Sequence, residues 1–570
     1  MHVAKIERKH GGRTYVSYLL RQSYRADGKV KHRTLANLSH LPEPLIDLIR
    51  RSLQGETFLG SDKAVRTVAS KPHGHVEAIL TTCVKLDLEN VLGSKPSRQR
   101  SLILALIVQR LLFPCSKLAS LRYWHSTTLA DELDVAEASS TELYKALDWL
   151  GKRQGLIEQK LAARHLEEGG VILYDVSSSF YEGRTCPLAQ YGHDRDGKKG
   201  LPIIVYGLLT DPCGRPVAVD VYPGNTADSK TIPNQIVKVR EKFALTRVIL
   251  VGDRGMLTQT QIDTLRQYPG LGWISALRSE AIGKLLEEGI LCAKLFEPVP
   301  LAEIASPDFP GERLIACYNA ALAKERSEKR QRLLAATEVN LTRLAAEVQR
   351  RTKKPLRTAE IGVKAGKLIG RHKMAKHFQL QIADGLFGWQ RDAASIEQEE
   401  KLDGIYVIRT SEPAANLGAA DCVRTYKSLS LVERAFRCLK GLDVLVRPIR
   451  HRVEPRVRAH VLLCMLAYYV EWHMRKALKP LLYEDEELEQ LRRKRDPVKP
   501  AQPSESAAVK KKTHQTADGF VAQDFRSLLA HLGARSRITY EVLAPTAQAT
   551  FHQLSEPDAL QAEALRLLQL

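Results

Sequence analysis

The sequence has no long apolar run and no paired cysteine motif, and both absences narrow the class of protein. Its longest apolar run, Val461–Val470, is far shorter than the roughly 20 residues that a membrane-spanning helix requires. Its nine cysteines are scattered without a Cys-x-x-Cys pair, so neither a disulfide framework nor a cysteine-rich zinc site is expected. The first residues, MHVAKIERKHGG, lack the apolar core of a signal peptide. We therefore expect a cytoplasmic protein without a membrane partner.

Acidic residues are few relative to basic ones. The 86 lysines and arginines outnumber the 65 aspartates and glutamates, which gives a formal net charge of +21. Such an excess favours a polyanionic partner, because each phosphate that a cation neutralises releases condensed counterions. The alternative is a basic surface that has no partner. At 570 residues, the chain should form several domains, each of about 100–200 residues.

Three acidic residues stand in distinctive surroundings. Asp175 follows four apolar residues in VILYDVSSSFY, where a buried strand is expected to end at the aspartate and a Ser-rich turn to follow. Asp253 follows the β-branched run of RVILVGDRG, and Glu433 lies within the predicted helix LSLVERAFRCLKGL. Oxygen ligands that converge from separate elements suit a hard divalent cation. The three acids are therefore candidate metal ligands.

The order of predicted elements around the first two acids indicates an α/β fold. Three strands at hairpin spacing predict an antiparallel meander, and a helix, a strand, a second helix and a strand follow it. The predicted strands are 171–175, 201–211, 217–222, 247–253 and 272–277, and the predicted helices are 229–243 and 258–268. This β-β-β-α-β-α-β order, with the Glu433 helix after it, is the layout of the ribonuclease-H-like fold.

Composition divides the chain into seven regions. Basic strands around the turn Ala26-Asp27-Gly28 predict a β-hairpin, which either contacts DNA or presents a solvated edge. The helical region after it is either a reader of DNA ends or a cap on the next domain. Within a predicted insertion, Leu334, Leu341 and Val348 recur every seven residues, as in a long amphipathic helix. The regions are 1–60 (hairpin unit), 61–168 (helical), 169–280 and 401–480 (two parts of the core), 281–400 (insertion), 481–519 (flexible linker) and 520–570 (C-terminal α/β tail).

The surroundings of Glu433 can be examined by helix arithmetic. Tyr426, Glu433 and Lys440 are seven residues apart, and at about 3.6 residues per turn they share one helix face. Arg437 lies on this face as well. The face would place a metal ligand beside donors suited to phosphate oxygens. The alternative is a surface helix with ordinary Glu–Arg and Glu–Lys pairs.

The segments LYDVSSSFYEG, VGDRGM and LVERAFRCLK resemble those of the DDE transposases of bacterial insertion sequences. The resemblance covers about residues 170–475 and is greatest to the group whose third-acid helix carries a Tyr…Arg…Glu…Lys signature. It implies that Asp175, Asp253 and Glu433 are the catalytic, metal-binding triad. The long interval before Glu433 fits members that carry an inserted domain.

The signature itself is incomplete in this sequence. The resemblance implies that Tyr426 and Lys440 are the signature Tyr and Lys, but Leu429 stands where the Arg is expected. Arg434 and Arg437 are the candidate replacements. This departure suggests a side branch of the group.

The resemblance also implies a reaction and its partners. The enzyme would cleave DNA at the terminal inverted repeats of its element and join the freed 3′-hydroxyl to target DNA. Two Mg²⁺ ions, or Mn²⁺ in their place, about 3.5–4 Å apart would activate the attacking oxygen and stabilise the leaving one. A homodimer on paired ends and a nucleoid-associated location are expected. A nuclease without strand transfer and a non-catalytic DNA-binding protein are the alternatives.

Basic residues near the triad and beyond it are candidate DNA ligands. The cluster RPIRHRVEPRVR at Arg447–Arg458 is the densest in the chain, and it is expected to contact phosphates. The resemblance further implies that an aromatic side chain can hold a base flipped out of the DNA. Trp273 and Trp389 could do this, but we interpret both as core residues. Asp194 and Asp196 are expected to be turn residues and not metal ligands. The DNA-binding candidates are Tyr426, Arg437, Lys440, Arg434, Arg447, Arg450, Arg452 and Arg254.

Overall fold

A computed structural model of the chain describes residues 1–56, 58, 65–297, 299–544 and 547–569. These residues form two units. Unit one comprises Met1–Lys71 and Ser536–Ser555, and unit two comprises Pro72–Arg535 and Glu556–Leu570. The region 520–570, predicted to be one tail, is therefore divided between the two units. The predicted boundary between 1–60 and 61–168 lies outside the described residues.

Unit one contains two small antiparallel sheets. Its elements are β1 (His2–His10), β2 (Arg13–Ala26), β3 (Lys29–Asn37), α1 (Glu43–Leu53), β4 (Val65–Pro72), β15 (Ser536–Ala544) and β16 (Ala547–Leu554). The predicted basic hairpin is confirmed, because β2 pairs with β3 across a turn in which Asp27 and Gly28 both have positive φ. The second sheet has the order β16-β15-β4. The region 61–168 was predicted to be helical throughout. This prediction is wrong for Val65–Pro72, because β4 is a strand.

The first part of unit two is a group of helices, as the sequence predicted. They are α2 (Gly74–Lys85), α3 (Leu88–Leu92), α4 (Arg98–Leu112), α5 (Lys117–Tyr123), α6 (Leu129–Glu132) and α7 (Ser140–His165). The apolar helix α4 is buried from Leu102 to Leu111. Helix α7 begins at a capping box, in which Ser139 accepts from the Glu142 N–H and the Glu142 carboxylate accepts from the Ser139 N–H.

The helices in the described ranges were compared with the length and apolar composition that a membrane span needs. None of them is both long enough and apolar enough to cross a membrane. The pair Arg98–Leu112 and Lys117–Ser126 passes a test of length and composition together, but the two helices are bent by 85°.

An eight-stranded sheet forms the centre of unit two, in the order β10-β11-β14-β9-β8-β5-β6-β7. Its first elements are β5 (Val171–Phe180), β6 (Ile203–Thr210), β7 (Pro216–Pro223), α8 (Ile232–Val237) with the π-helical turn Lys238–Lys242, β8 (Val248–Val251), α9 (Gln259–Arg266) and β9 (Leu271–Ala276). Strands β5, β6 and β7 form the predicted antiparallel meander, and β8 runs parallel to both β5 and β9. The predicted element order of this segment is therefore the order in the structure.

Strand β5 is longer than predicted, and the expected Ser-rich turn after Asp175 is wrong. Antiparallel pairing with β6 continues from Leu173 to Phe180, so the three serines at 177–179 belong to the strand and are buried. Ser179 Oγ lies 2.9 Å from the hydroxyl of Tyr206 on β6. Pairing with β6 thus supplies hydrogen bonds to the backbone of this segment and keeps it extended, although serines favour a turn. Asp175 consequently lies in the middle of a strand.

The predicted insertion over 281–400 begins later than expected. The elements from here to the end of the sheet are α10 (Ser279–Glu287), β10 (Leu301–Ile304), β11 (Arg313–Tyr318), α11 (Ala320–Arg350), α12 (Thr358–Arg371), β12 (Phe378–Ala383), β13 (Leu386–Arg391), α13 (Ala393–Glu400) and β14 (Ile405–Thr410). Because β10 and β11 continue the central sheet through β14, the inserted part is the segment from α11 to α13, whose core is separate from that of the sheet. The heptad residues Leu334, Leu341 and Val348 are buried in that core, and Trp389 packs against it.

The remainder of unit two is helical and carries the third acid. Its helices are α14 (Ala419–Lys427), α15 (Leu429–Lys440), α16 (Glu454–Leu478), α17 (Leu488–Lys494), α18 (Glu505–Thr513), α19 (Phe525–Gly533) and α20 (Ala559–Leu567). The structure contradicts a flexible linker over 481–519, since this region contains α17 and α18. Lys510 of α18 is buried and donates to the carbonyls of Pro480 and Leu482 at 3.2 and 3.1 Å. Its ammonium also forms an ion pair with Glu486 at 2.8 Å, so a charge that the composition placed in solvent is neutralised inside the fold.

Candidate active site

Asp175 lies on β5, and Asp253 follows the end of the neighbouring parallel strand β8. The pairing of β5 with β8 places Leu173 beside Val251. Asp175 and Asp253 each follow this pair by two residues, in the same direction along the two parallel segments. Strand β8 ends at Val251, and the N–H of Gly255 donates to the carboxylate of Asp253 in the turn that follows. Asp253 therefore lies just beyond the end of β8, whereas Asp175 lies in the middle of β5.

Glu433 approaches the same place from helix α15. This helix packs against β5 and buries Val432, Ala435, Phe436 and Leu439, while Glu433 stays exposed. The negative charges of Asp253 and Glu433 both raise the pKa of Asp175, which requires that the three carboxylates lie near one another. The structure thus brings together the three acids that the sequence singled out.

The electrostatics of this group are suited to a bound cation. Burial, followed by the charges of Asp253 and Glu433, raises the pKa of Asp175 to about 7, against the N–H of Val176 and the charge of Arg195, which lower it. The hydrogen bonds to Asp175 and Asp253 come from backbone N–H groups. Among the described residues, none of the three carboxylates forms an ion pair with a lysine or an arginine. Clustered, unpaired carboxylates are a suitable donor set for a divalent metal ion.

Tyr426 reaches the triad from a different helix than predicted. The expected continuous helix is divided into α14 and α15, which meet at Ser428, so the arithmetic that placed Tyr426 and Lys440 on one face does not apply. Burial, and then the charge of Asp253, raises the pKa of the Tyr426 phenol to about 12, and Asp175 and Glu433 contribute in the same direction. The tyrosine is therefore close to all three acids.

Lys440 is held by an acid that sequence reasoning set aside. Its ammonium lies 3.0 Å from Asp196, whose side chain is 4% exposed, and Arg447 forms an ion pair with the same carboxylate. Asp196 also accepts the backbone N–H of Phe180 at the end of β5, at 3.2 Å. Asp196 thus fixes two basic side chains next to the strand that carries Asp175. No local motif could have revealed this, because both partners are distant in the sequence.

The two candidate replacements for the signature arginine differ in their surroundings. Arg434 forms an ion pair with Glu484 at 2.5 Å and lines a cavity of about 330 Å³ beside α15. Arg437 is exposed, and it forms no ion pair within the described ranges. Leu429, at the signature position, is buried. Arg254, which follows Asp253, is also exposed and lowers the pKa of Tyr426.

The basic cluster Arg447–Arg458 is largely neutralised within unit two. Three of its five arginines are ion-paired: Arg447 with Asp196, Arg456 with Asp148 at 2.9 Å and Arg458 with Glu454 at 2.7 Å. Arg450 and Arg452 are exposed and form no ion pair in the described part of the chain. Charge density in the sequence therefore overstated the number of arginines that are available to a ligand.

The tightest group of metal-ligating atoms in the described residues lies elsewhere. Atoms of Cys438, Asp443 and Glu471 lie within 4.8 Å of one another. However, Arg475 lies 2.6 Å from Glu471 and 3.1 Å from Asp443, so a guanidinium already neutralises both carboxylates. This group is an internal ion-pair network, in contrast to the triad.

Comparisons with known proteins identify two segments of the chain. Residues 3–63 match a family described as IS1634 family transposase, N-terminal domain, and residues 179–470 match a family described as Transposase DDE domain. The second match covers more than half of the chain; it includes Asp253 and Glu433 and begins shortly after Asp175. None of the curated proteins matches the chain.

Two solved structures are similar to the chain at low identity. One is described as a cryo-EM structure of the piggyBac transposase synaptic complex with hairpin DNA, with 12% identity, a TM-score of 0.28 and coverage of 78% of this chain and 88% of that one. The other is described as the Mos1 transposase paired-end complex with left transposon end, with 14% identity, a TM-score of 0.14 and coverage of 34% and 62%.

Proposed function

This chain belongs to the DDE transposase family, and we propose that Asp175, Asp253 and Glu433 are the carboxylates with which it catalyses DNA cleavage and strand transfer. The observation that carries this assignment is the meeting of three acids from β5, the end of β8 and α15 that have no ion-pair partner within the described part of the chain. Burial, and then the charges of Asp253 and Glu433, raise the pKa of Asp175, so the fold holds this carboxylate where its ionised form is destabilised. Perturbed carboxyl groups of this kind are typical of catalytic sites.

The strand order supports a ribonuclease-H-like core. Five adjacent strands follow the order β7-β6-β5-β8-β9, in which an antiparallel meander is followed by two strands parallel to β5. Strands β14, β11 and β10 would then extend this core at one edge, and the segment from α11 to α13 would be the domain inserted before the third acid.

DDE transposase domains use divalent metal ions, and we propose that this chain uses two Mg²⁺ ions, for which Mn²⁺ can substitute. The residues fit such ions, because Asp175, Asp253 and Glu433 offer hard oxygen ligands without a lysine or arginine partner among the described residues. Bound ions would supply a stronger nucleophile from water or a 3′-hydroxyl and stabilise the leaving oxygen.

The residues of the chain itself hold this site in place and bind the DNA. Asp175 is fixed by its position within a paired strand, and Glu433 by a helix whose apolar side is buried on β5. Placement on such rigid elements keeps catalytic groups in a productive geometry. The exposed guanidinium groups of Arg437 and Arg254 are suited to the phosphates beside the scissile bond. We assign the role of the missing signature arginine to Arg437, because Arg434 is already paired with Glu484.

Strand transfer needs two DNA ends to be held together, and we propose that a homodimer does this. Light scattering of the chain with and without DNA of the element's ends tests the proposal. A complex with two chains and two ends is expected, and a complex with one chain and one end would contradict it.

A strand-transfer assay tests the catalytic assignment. The purified chain, Mg²⁺ and pre-cleaved DNA ends should yield joined product, whereas a nuclease of the same fold would only hydrolyse DNA. The Asp253→Asn variant should bind the ends and form no product. DNA binding by the unaltered chain without any cleavage or joining would instead indicate a non-catalytic DNA-binding protein.

A further inference from the structure

A cavity between α5, α7 and the segment before α16 has an unusual lining. Its volume is about 470 Å³, and no aspartate or glutamate is among the described residues that line it. Three arginines and a lysine do line it, Arg110, Arg447, Arg450 and Lys117, together with His451 and His460. A concave, water-accessible surface with charge of one sign attracts ligands of the opposite charge.

Two of these cations are buried without a counter-charge. Arg110 and Lys117 are 5% and 3% exposed, and neither forms an ion pair with a carboxylate within the described residues. Arg110 donates only weakly to the carbonyl of Leu445, at 3.4 Å. Burying a charge is costly unless an opposite charge accompanies it. Burial and the charge of Arg110 accordingly lower the pKa of Lys117 well below its usual value.

His460 forms a hydrogen bond with the Lys117 ammonium but supplies no negative charge to neutralise it. His460 Nε2 lies 2.9 Å from the carbonyl of Val446, which can only accept, so Nε2 carries the proton and Nδ1 is an acceptor. Lys117 Nζ donates to this Nδ1 at 3.3 Å. One of the three ammonium donors is therefore used by a neutral group, which leaves donors for a ligand in the cavity.

The cavity is linked to the candidate active site and is flanked by aromatic rings. Arg447 lines it and is ion-paired with Asp196, which also holds Lys440 and the end of β5. At its rim, the rings of Phe113 and Tyr123 lie 4.4 Å apart and are 49% and 42% exposed. Exposed aromatic rings beside cations are a common platform for the bases of a nucleic-acid strand.

We propose that this cavity is a phosphate-binding subsite, in which the buried cations of Arg110 and Lys117 receive a backbone phosphodiester of the DNA strand that the enzyme processes. The aromatic rim favours a phosphate that belongs to a nucleic acid over free inorganic phosphate. The inference rests on the proposed function, since it assigns to that reaction a DNA contact outside the triad.

The experiment compares DNA affinity with thermal stability. Fluorescence anisotropy measures binding of a labelled duplex from the element's end to the unaltered chain and to three variants: Lys117→Met, Arg450→Gln at the exposed mouth, and the control Lys242→Met. Lys242 is exposed and far from the lining residues in sequence, so the control removes the same charge outside the cavity. Melting temperatures are measured with inorganic phosphate and with chloride at equal ionic strength.

Lys117→Met should bind the duplex about 10-fold more weakly, since a hydrogen bond to a charged group is lost. Its melting temperature in chloride should equal or exceed that of the unaltered chain, because an uncompensated charge is removed from the interior. Arg450→Gln should weaken binding about 2- to 3-fold, and Lys242→Met should leave it unchanged.

Three results would overturn the proposal. Undiminished DNA affinity in both Lys117→Met and Arg450→Gln would do so while leaving the transposase function intact, provided that the unaltered chain binds and joins ends. A thermal shift by inorganic phosphate with unchanged DNA affinity would assign the cavity to a free anion. Failure of the unaltered chain itself to bind end DNA would remove the proposed function and the subsite together. If Lys117→Met does not fold, Arg450→Gln decides the question alone.

Discussion

Two groups of charged side chains in unit two are treated in opposite ways by the fold. At the triad, Asp175, Asp253 and Glu433 repel one another and are without cationic partners among the described residues. At Lys238, the ammonium lies 2.9 Å from Glu158 and 2.7 Å from Asp220. Opposite charges are paired at Lys238, where they stabilise the fold. At the triad the charges are left without a protein partner, where a bound ligand is expected to neutralise them.

The cavity around Lys117 extends the comparison to charge of the opposite sign. Within the described residues, its buried cations Arg110 and Lys117 lack carboxylate partners just as the triad lacks cationic ones, whereas three of the five arginines in the Arg447–Arg458 cluster are paired. A count of charges in the sequence cannot distinguish these cases. The pairing in three dimensions does.

The largest expected effect is on catalysis at the triad. Asp253→Asn or Glu433→Gln should reduce strand transfer by at least about 10³-fold, because a metal ligand is worth several kcal/mol at the transition state. The same variants should melt at an equal or higher temperature than the unaltered chain, since a repulsion on Asp175 is removed. Activity and melting temperature are measured on the same preparations. Retained activity would defeat the catalytic assignment, and a large loss of stability would defeat the comparison.

Substitution in the paired group should have the opposite effect. Lys238→Met leaves the buried carboxylate of Glu158 without its partner, and the free energy of unfolding should fall by about 3–5 kcal/mol. Denaturant titration measures it, and the exposed Lys242→Met serves as the control. The double variant Lys238→Met, Glu158→Gln should recover part of the loss. An unchanged unfolding free energy in Lys238→Met would show that the pair is not structural.

Two half-buried histidines give a pH dependence that neither charged group explains. Burial lowers the pKa of His165 to about 4 and of His473 to about 3. Because the unfolded chain takes up these protons near its ordinary pKa of about 6.5, their contribution to stability is present above that pH and is lost as the pH falls toward 4 and 3.

His473→Phe should therefore weaken the acid sensitivity of the melting temperature without shifting DNA affinity. The expected difference is of order 1 kcal/mol, less than the pKa shift alone implies, because the ring is partly solvated. Melting curves above pH 6.5 and near pH 4 measure it. Equal acid sensitivity of variant and unaltered chain would show that the imidazole stays protonated in the fold.

The smallest effects should separate paired from unpaired arginines in the basic cluster. Arg450→Gln and Arg452→Gln should each reduce the slope of DNA affinity against salt concentration by about 1. Arg456→Gln should leave that slope unchanged, because Arg456 is committed to Asp148. Binding isotherms at several salt concentrations provide the slopes. If all three variants behave alike, pairing in the free protein does not determine which arginines meet DNA.

Local patterns in the sequence were sufficient for much of the central sheet and for locating the three acids. An apolar run followed by an aspartate indicates a strand, with the acid either within it, as at Asp175, or just after it, as at Asp253. The meander, the crossover helix and the heptad of α11 follow from the same short-range signals. The catalytic roles of the acids stay a prediction, which their proximity supports.

Features that depend on distant partners could not be predicted in this way. The serines after Asp175 suggested a turn, but β6 pairs with them and keeps them in the strand. Asp196 resembled a turn residue in the sequence, but in the structure it forms ion pairs with Lys440 and Arg447. The Lys-rich segment around Lys510 resembled a linker, but in the structure backbone carbonyls and the carboxylate of Glu486 surround the Lys510 ammonium. In each case long-range hydrogen bonds or ion pairs override the local preference.

The most direct measurement of the central claim is a crystal structure of the chain soaked in Mn²⁺, with diffraction recorded where manganese scatters anomalously. The account predicts anomalous density in contact with oxygens of Asp175, Asp253 and Glu433, and its disappearance in Asp253→Asn crystals grown and soaked alike. Manganese bound elsewhere, with the three carboxylates free of density, would contradict it.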